Sequence, residues 1–206
     1  MSSGGAPRFW REARAMRKSR AETAATRERI VEAAAGEFRR NGIGATGLSN
    51  LMGAAGLTHG GFYKHFASKE QAVAEACAYA IEEIGETLGA AMDKRAARPA
   101  LHGAINAYLT VEHRDNAGAG CPFAALGAEL ARGSEAVRES ASAGLDALIA
   151  RFAAHHAEPD SAQASTEAML ALSSMIGALV LSRIVTDDKR SRDILRQMRS
   201  HLTQGG

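Results

Sequence analysis

Cysteine is scarce in this chain: Cys77 and Cys121 are the whole supply, and they form no C-x-x-C pair. A disulfide framework is therefore not expected, and a reducing cytoplasm is the natural compartment. Aromatic residues make up only 5% of the chain while alanine is abundant, a balance that leans to helix because alanine has the best helix propensity. No long apolar run occurs. The longest without a charge, residues 168–182, has 15 members, short of the roughly 20 that span a bilayer, and it reads as a buried helix. The first twenty residues hold no apolar h-region, so no secretory signal is expected. No segment alternates as a half-buried strand does, and no internal repeat is present. Also missing are G-x-S-x-G, the P-loop, H-E-x-x-H and a dinucleotide glycine pattern. No enzyme, cofactor or metal site is therefore expected. His155 and His156, beside Glu158 and Asp160, read as solvated residues of a polar loop.

What is present is enough chain for a core. The 206 residues fit one compact unit or two small ones, able to bury most apolar surface without a staple. A formal net charge of +2 hides an asymmetry: residues 1–70 carry 12 lysines and arginines against 6 acids, and the remainder carries 13 against 17. A basic first third on an acidic remainder points to one end meeting a polyanion. Residues 1–22 read as a basic arm, either a disordered tail or a segment that becomes helical on DNA, with Arg8, Arg11, Arg14 and Arg17 spaced to share a helix side.

From Thr26 onward the pattern is helical. Ile30, Ala34 and Phe38 recur every four residues, and Asn41-Gly42 ends the run. Leu48, Leu51 and Met52 predict a brief second helix, stopped at Gly56. Thr58 is placed to cap a third, residues 59–66. Ser68-Lys-Glu-Gln71 reads as a capping box opening a longer fourth helix, to about Lys94. Helix follows helix after that. Pro99 and Pro122 suit first-turn positions, a glycine-rich loop spans 115–120, Ser134 can cap, and long apolar helices follow over 165–185 and through Ile194, Leu195, Met198 and Leu202. The fold class expected is all-α, with about nine helices.

Three short helices with a glycine turn between the second and third match a helix-turn-helix. On the third, Phe62 and Phe66 face one way, toward Phe38, Ile30 and Leu51, while His59, Gly60, Tyr63 and Lys64 face the other. That second face is polar, aromatic and cationic, and suits phosphates and base edges in a major groove. Gly60-Gly61 costs helix stability, roughly 1 kcal/mol each against alanine; close backbone approach is one compensation, and a weak helix start is the plain alternative.

The stretch from Thr26-Arg-Glu-Arg-Ile through Ala55-Gly-Leu-Thr-His-Gly-Gly-Phe-Tyr63-Lys-His-Phe66 to Ser68-Lys69-Glu70 closely resembles the TetR (AcrR) family of transcription regulators. The resemblance implies that the third helix is the recognition helix. It assigns Thr46 and Lys69 to phosphates, and Thr58, His59, Gly61, Tyr63, Lys64 and His65 to bases or backbone. Gly47 departs from the family, which usually has Ser or Thr there, and Ala67 stands where Pro is frequent. The resemblance further implies a homodimer through the last two helices, mostly repressors, a double-stranded operator and a small-molecule effector bound among the middle helices. The chain then divides into an arm (1–22), a DNA-binding domain (23–69) and an effector-binding and dimerisation domain (70–206). Met169, Leu172, Met175, Ile176, Leu179 and Val180 surround most of one helix, which fits a dimer interface and also a monomer core.

Candidate effector-pocket residues are Tyr79, Met92, Ile105, Tyr108, Phe123, Leu126, Met169 and Met175, each of which also suits an ordinary core position. Cys121, in the run GAGCPF at an expected helix N-terminus, is the candidate with its own chemistry. Helix amides and dipole favour its thiolate, and the segment from Cys121 to Glu129-Leu130 resembles the electrophile-sensing branch of the family. The alternative is a small buried hydrophobe, which is also the reading for Cys77. Two rival classes have less behind them: a cysteine enzyme lacks a motif, and a helical module without DNA binding has no reason to turn Tyr63-Lys64 outward beside two glycines.

Overall fold

A computed structural model describes residues 8–94, 100–156 and 158–204, with side chains described from Arg20 onward. Among these residues there are nine α-helices, two short 3₁₀ helices and no strand. The helices are α1 (Arg8–Asn41), α2 (Leu48–Ala54), α3 (Lys69–Asp93), α4 (Ala100–Tyr108), α5 (Val111–Asp115), α6 (Pro122–Ala131), α7 (Glu135–Ala153), α8 (Ala162–Ile184) and α9 (Asp188–Gln204). The 3₁₀ segments are His59–Lys64 and Ala117–Ala119.

The backbone of α1 is helical from Arg8, well ahead of Thr26, where the apolar period starts. The arm and the first helix of the helix-turn-helix are thus one continuous rod. The expected side shared by Arg8, Arg11, Arg14 and Arg17 lies outside the described side chains, and Pro99 lies outside the described residues. Gly42 ends α1 at φ +85°, a left-handed turn that side chains with a Cβ rarely adopt. Three caps read from sequence divide by chemistry. The Ser68 hydroxyl accepts from the Gln71 amide at 3.1 Å, whereas Thr58 and Ser134 sit at N-cap positions without a side-chain cap bond. The loop expected over 115–120 holds a 3₁₀ turn, Ala117–Ala119, and is preceded by α5, which Thr110 caps by accepting from the His113 amide at 3.1 Å.

Two apolar clusters fill the molecule. One gathers Ile30, Phe38, Leu51, Met52, Phe62 and Phe66 with the first turns of α3, and it takes in Leu126 and Leu130 of α6 and Val137 of α7. The other runs along α3, α4, α7, α8 and α9 through Leu88, Met92, Ile105, Tyr108, Leu148, Leu172, Met175 and Leu195. Helix α3 serves both, and α7 lies along it. Gly103 lets α4 cross α3 closely, since a Cβ there would sit 2.1 Å from the Ala91 carbonyl oxygen.

Helix α8 is 23 residues long, more than the 15-residue uncharged run within it, because Glu167 and Arg183 fall inside the helix. By length and composition it could cross a membrane; in the fold it packs on α7, α9 and α6. Its burial is one-sided. Ala168, Leu172, Met175 and Leu179 face the core, and Leu170, Leu181 and Ile184 are exposed.

Candidate nucleic-acid interface and the body behind it

The 3₁₀ helix His59–Lys64 stands at the surface on a floor of aromatics. Phe62 is fully buried and stacks on Phe66 at 5.3 Å between centroids, with Leu51 and Met52 of α2 beneath. The expected α-helix over 59–66 is tighter and shorter. Two glycines in six residues weaken α-helical propagation, and only Phe66, bonded to the Phe62 carbonyl at 3.1 Å, makes the i to i−4 bond of an α turn. The outward face is as the spacing predicts: Tyr63 is 69% exposed, and Thr58, His59, Gly60 and Lys64 are exposed with it. A Cβ at Gly60 would meet nothing within 4 Å, so the backbone there is open to a partner. His59 is tied back to α2 by the Ser49 hydroxyl at 3.3 Å.

The flanking residues are placed differently. Gly61 and His65 are half-buried, and the His65 Nδ1 is buried without a hydrogen-bond partner. Lys69 is half-buried, its Nζ donating to the Ile43 carbonyl at 2.7 Å, so the α1–α2 loop already holds this cation. Thr46 corrects an expectation. It is 1% exposed, and its hydroxyl donates to the Gly42 carbonyl at 2.7 Å, closing the turn after α1 rather than facing outward.

Long-range ties hold this surface to the body. Arg29 donates to the Ala55 carbonyl at 2.7 Å, and Glu129 of α6 accepts from the Gly44 amide at 2.9 Å. Arg39, 5% exposed, pairs with Glu83 at 2.8 Å and donates to the Gly120 carbonyl at 2.9 Å. The N–H of that same peptide unit, on Cys121, donates to the His113 Nε2 at 2.9 Å. One peptide unit is therefore gripped from both sides, by Arg39 of α1 and by a histidine of the body. Except for the last pair, all of these partners lie 26 or more residues apart, so local patterns gave no sign of them.

Around this peptide lies a buried polar nest. His113 Nδ1 contacts the Tyr108 carbonyl at 2.8 Å, which leaves Nε2 as acceptor in the neutral ring. Burial pushes the His113 pKa down, against the hydrogen bond that its Nδ1 donates to the Tyr108 carbonyl. The Tyr108 hydroxyl is buried and approaches the Cys121 thiol without a well-aligned hydrogen bond. The expectation of a lowered thiol pKa at Cys121 is corrected. The Tyr108 side chain, the Ala124 and Phe123 amides and Arg183 do favour the anion, but burial outweighs them and raises it. Cys77 is core as expected, with its thiol pushed up to about 11 by burial.

The candidate effector residues part company. Met92, Ile105, Tyr108, Cys121 and Met175 pack in one cluster, and Phe123 touches both clusters. Leu126 belongs to the other cluster because α6 leans its second turn toward α1. Tyr79 is 38% exposed, in an open groove of about 400 Å³ with Arg29, Glu32 and Arg40. Met169 is 48% exposed, on the outer side of α8. His155 and His156 are not free in solvent. They face Asp93 and Glu167, each at 3.3 Å, and no cluster of three metal-ligating residues occurs among the described residues.

A short reading helix on an aromatic floor, backed by α1 and α2 and carried on a helical body, defines a helix-turn-helix DNA-binding protein. Residues 30–76 match the model of the bacterial regulatory proteins of the tetR family. An uncharacterized HTH-type transcriptional regulator of Mycobacterium tuberculosis, Rv0196, is 30% identical over 188 residues, covering 85% of this chain and 93% of its own. The HTH-type regulator AcrR of Shigella flexneri is 34% identical over 70 residues, 34% of this chain and 33% of its own. Among solved structures, a TetR regulator from Chloroflexus aurantiacus superposes with a TM-score of 0.71 at 25% identity, covering 89% of this chain and 97% of that one. The reduced form of E. coli NemR gives 0.70 at 22%, covering 87% and 96%. The chain belongs to the TetR family of DNA-binding transcription regulators.

Proposed function

We propose that this regulator is a homodimeric repressor, working in the cytoplasm and released from a near-palindromic operator by a small molecule. In this reading residues 23–69 read DNA, and residues 70–206 bind effector and dimerise. The observation that carries it is the outward face of the 3₁₀ helix. Thr58, His59, Gly60, Gly61, Tyr63 and Lys64 would meet base edges and backbone in the major groove, with His65 and Lys69 at the rim. Thr46 is left out, because its hydroxyl is already used.

The dimer reading rests on α8. Leu170, Ser173, Gly177, Leu181 and Ile184 form one stripe along its outer side, and a Cβ at Gly177 would meet nothing within 4 Å. A stripe of large apolar residues around a small one suits close helix packing against a twofold mate. Two readers then meet half-sites about 34–36 Å apart or a multiple of that.

Effector coupling rests on the gripped peptide between Gly120 and Cys121. A molecule that displaces Tyr108, His113 or Cys121 would pull the Arg39 tie and tilt α1. An electrophile that adds to the Cys121 sulfur is one such molecule, once the loop opens to it. Titration against duplex DNA flanking the gene, with random duplex beside it at two salt concentrations, tests the whole reading. Preference for the flanking duplex by ~10³ or more supports it; no binding to either DNA at low salt overturns it.

A further inference from the structure

The 3₁₀ helix His59–Lys64 has little of its own to hold it in place. It has six residues, two of them glycine, and a Thr58 cap without a side-chain bond. Its exit, however, is held from two other helices. The Arg27 Nε of α1 donates to the His65 carbonyl at 3.2 Å, and its guanidinium carbon lies 4.6 Å from the centre of the Phe66 ring. Both remaining guanidinium nitrogens engage the Glu75 carboxylate of α3, Nη2 to Oε1 at 2.5 Å and Nη1 to Oε2. Glu75 in turn accepts from the Gln71 side-chain amide at 3.1 Å, and the Gln71 Oε1 accepts from the Ala67 amide at 2.8 Å. The backbone leaving the reading helix is therefore held at His65 C=O and at Ala67 N–H through one connected network. Every nitrogen of Arg27 has an intramolecular partner. The Gln71 side chain, in a capping box expected to reach the Ser68 amide, reaches Ala67 instead.

We infer that Arg27 is a positioning residue for DNA reading: its guanidinium sets the angle of the recognition helix by clamping the helix exit to α3 through Glu75, without being a phosphate ligand. This rests on the reading that His59–Lys64 is the recognition element. A forked guanidinium is required, because lysine offers one nitrogen where three are used and cannot lie flat over Phe66.

Two properties separate positioning from phosphate contact. A phosphate ligand weakens all DNA alike and, when removed, lowers the salt slope by about 1. A positioning residue loses preference for the chosen sequence and leaves the slope unchanged. The probe is a duplex selected from a random pool by the wild-type protein, measured beside an unselected duplex at three salt concentrations. Arg27→Lys and Glu75→Gln are the variants, with Tyr63→Ala and Lys64→Ala as references and thermal unfolding as the fold control. The expected result is a loss of about tenfold or more on the selected duplex for Arg27→Lys, the size of one or two charge-assisted hydrogen bonds. Glu75→Gln loses less, binding to unselected duplex changes less than about twofold, and the slope is that of the wild type. If Arg27→Lys fails to fold, Glu75→Gln reads the same clamp from its other end. Equal loss on both duplexes with a shallower slope makes Arg27 a phosphate ligand and overturns the inference. No loss in either variant, while Tyr63→Ala and Lys64→Ala lose preference, overturns it as well. If those two references bind both duplexes like the wild type, the recognition reading itself has failed, and that outcome is distinct from the others.

Discussion

The two apolar clusters of this molecule are built from different residues toward different ends. The one beneath the reading helix is stacked from phenylalanines, with Phe38, Phe62 and Phe66 at 2% exposure or less. The one in the body is mostly aliphatic, with Tyr108 and Phe152 among it, and encloses polar chemistry: a neutral histidine, a tyrosine hydroxyl and a thiol around one gripped peptide. Rigid rings with few rotamers suit a surface that must present one geometry to DNA. The Tyr108 hydroxyl in that core has only the Cys121 thiol, a weak acceptor, beside it. Among the described residues two buried polar side-chain atoms lack a well-aligned hydrogen bond, His65 Nδ1 at the exit of the reading helix and Tyr108 Oη in the body cluster. Both lie where an outside partner is proposed.

The comparison breaks first at its aromatic floor. Phe62→Ala should cost ~3–5 kcal/mol in thermal or denaturant unfolding and abolish DNA binding. A loss under 1 kcal/mol would mean the reading helix does not depend on that floor. The body's outer stripe comes next. Leu181→Asp or Ile184→Asp should shift sedimentation from dimer to monomer while leaving the helical signal intact. An unchanged dimer would place the interface elsewhere.

The polar nest should respond to acid. Burial lowers the His113 pKa in the fold, so the neutral ring contributes stability above its unfolded pKa of about 6.5. That contribution is lost as pH falls from there through the folded pKa, because a protonated Nε2 can no longer accept from Cys121. The unfolding temperature should therefore fall between pH 7 and 5 more steeply in the wild type than in His113→Asn; parallel slopes would remove the histidine from the account. The smallest expected effect contrasts two caps. Ser68→Ala should cost ~1 kcal/mol, and Thr58→Ala close to nothing, since only Ser68 makes a cap bond. Equal costs would contradict the placement of the two hydroxyls.

Local signals carried the reading half far. The periodic Ile30, Ala34 and Phe38, the left-handed Gly42, the Ser68 cap and the outward Tyr63-Lys64 pair are all properties of residues within a few positions of one another. Each stands in the fold as read. Thr46, assigned to phosphate by the family resemblance alone, is buried with its hydroxyl bonded to the Gly42 carbonyl, and a resemblance does not reveal which way a hydroxyl is turned. In the body, membership of a cluster depends on how helices lean. Leu126 went to the first cluster and Met169 to the surface because α6 tilts toward α1 and α8 turns its outer side away. The ties that join the halves, Arg27 to Glu75, Arg39 to Gly120 and Glu129 to Gly44, span 48, 81 and 85 positions. No local pattern marks a hydrogen bond at such separations. Of the two readings of Cys121, its burial fits the small buried hydrophobe: the helix N-terminus is local and was legible, whereas the burial that outweighs it is made by distant helices.

The central claim is that the outward face of the 3₁₀ helix reads bases. The most direct measurement compares Tyr63→Ala, Lys64→Ala and Lys69→Ala on a duplex selected by the wild-type protein and on unselected duplex, at fixed salt. The account predicts that the first two reduce preference for the selected duplex by roughly 1–3 kcal/mol each, while Lys69→Ala weakens both duplexes together. Equal losses on both duplexes for all three variants would contradict it, and would mean that this face touches only the phosphate backbone.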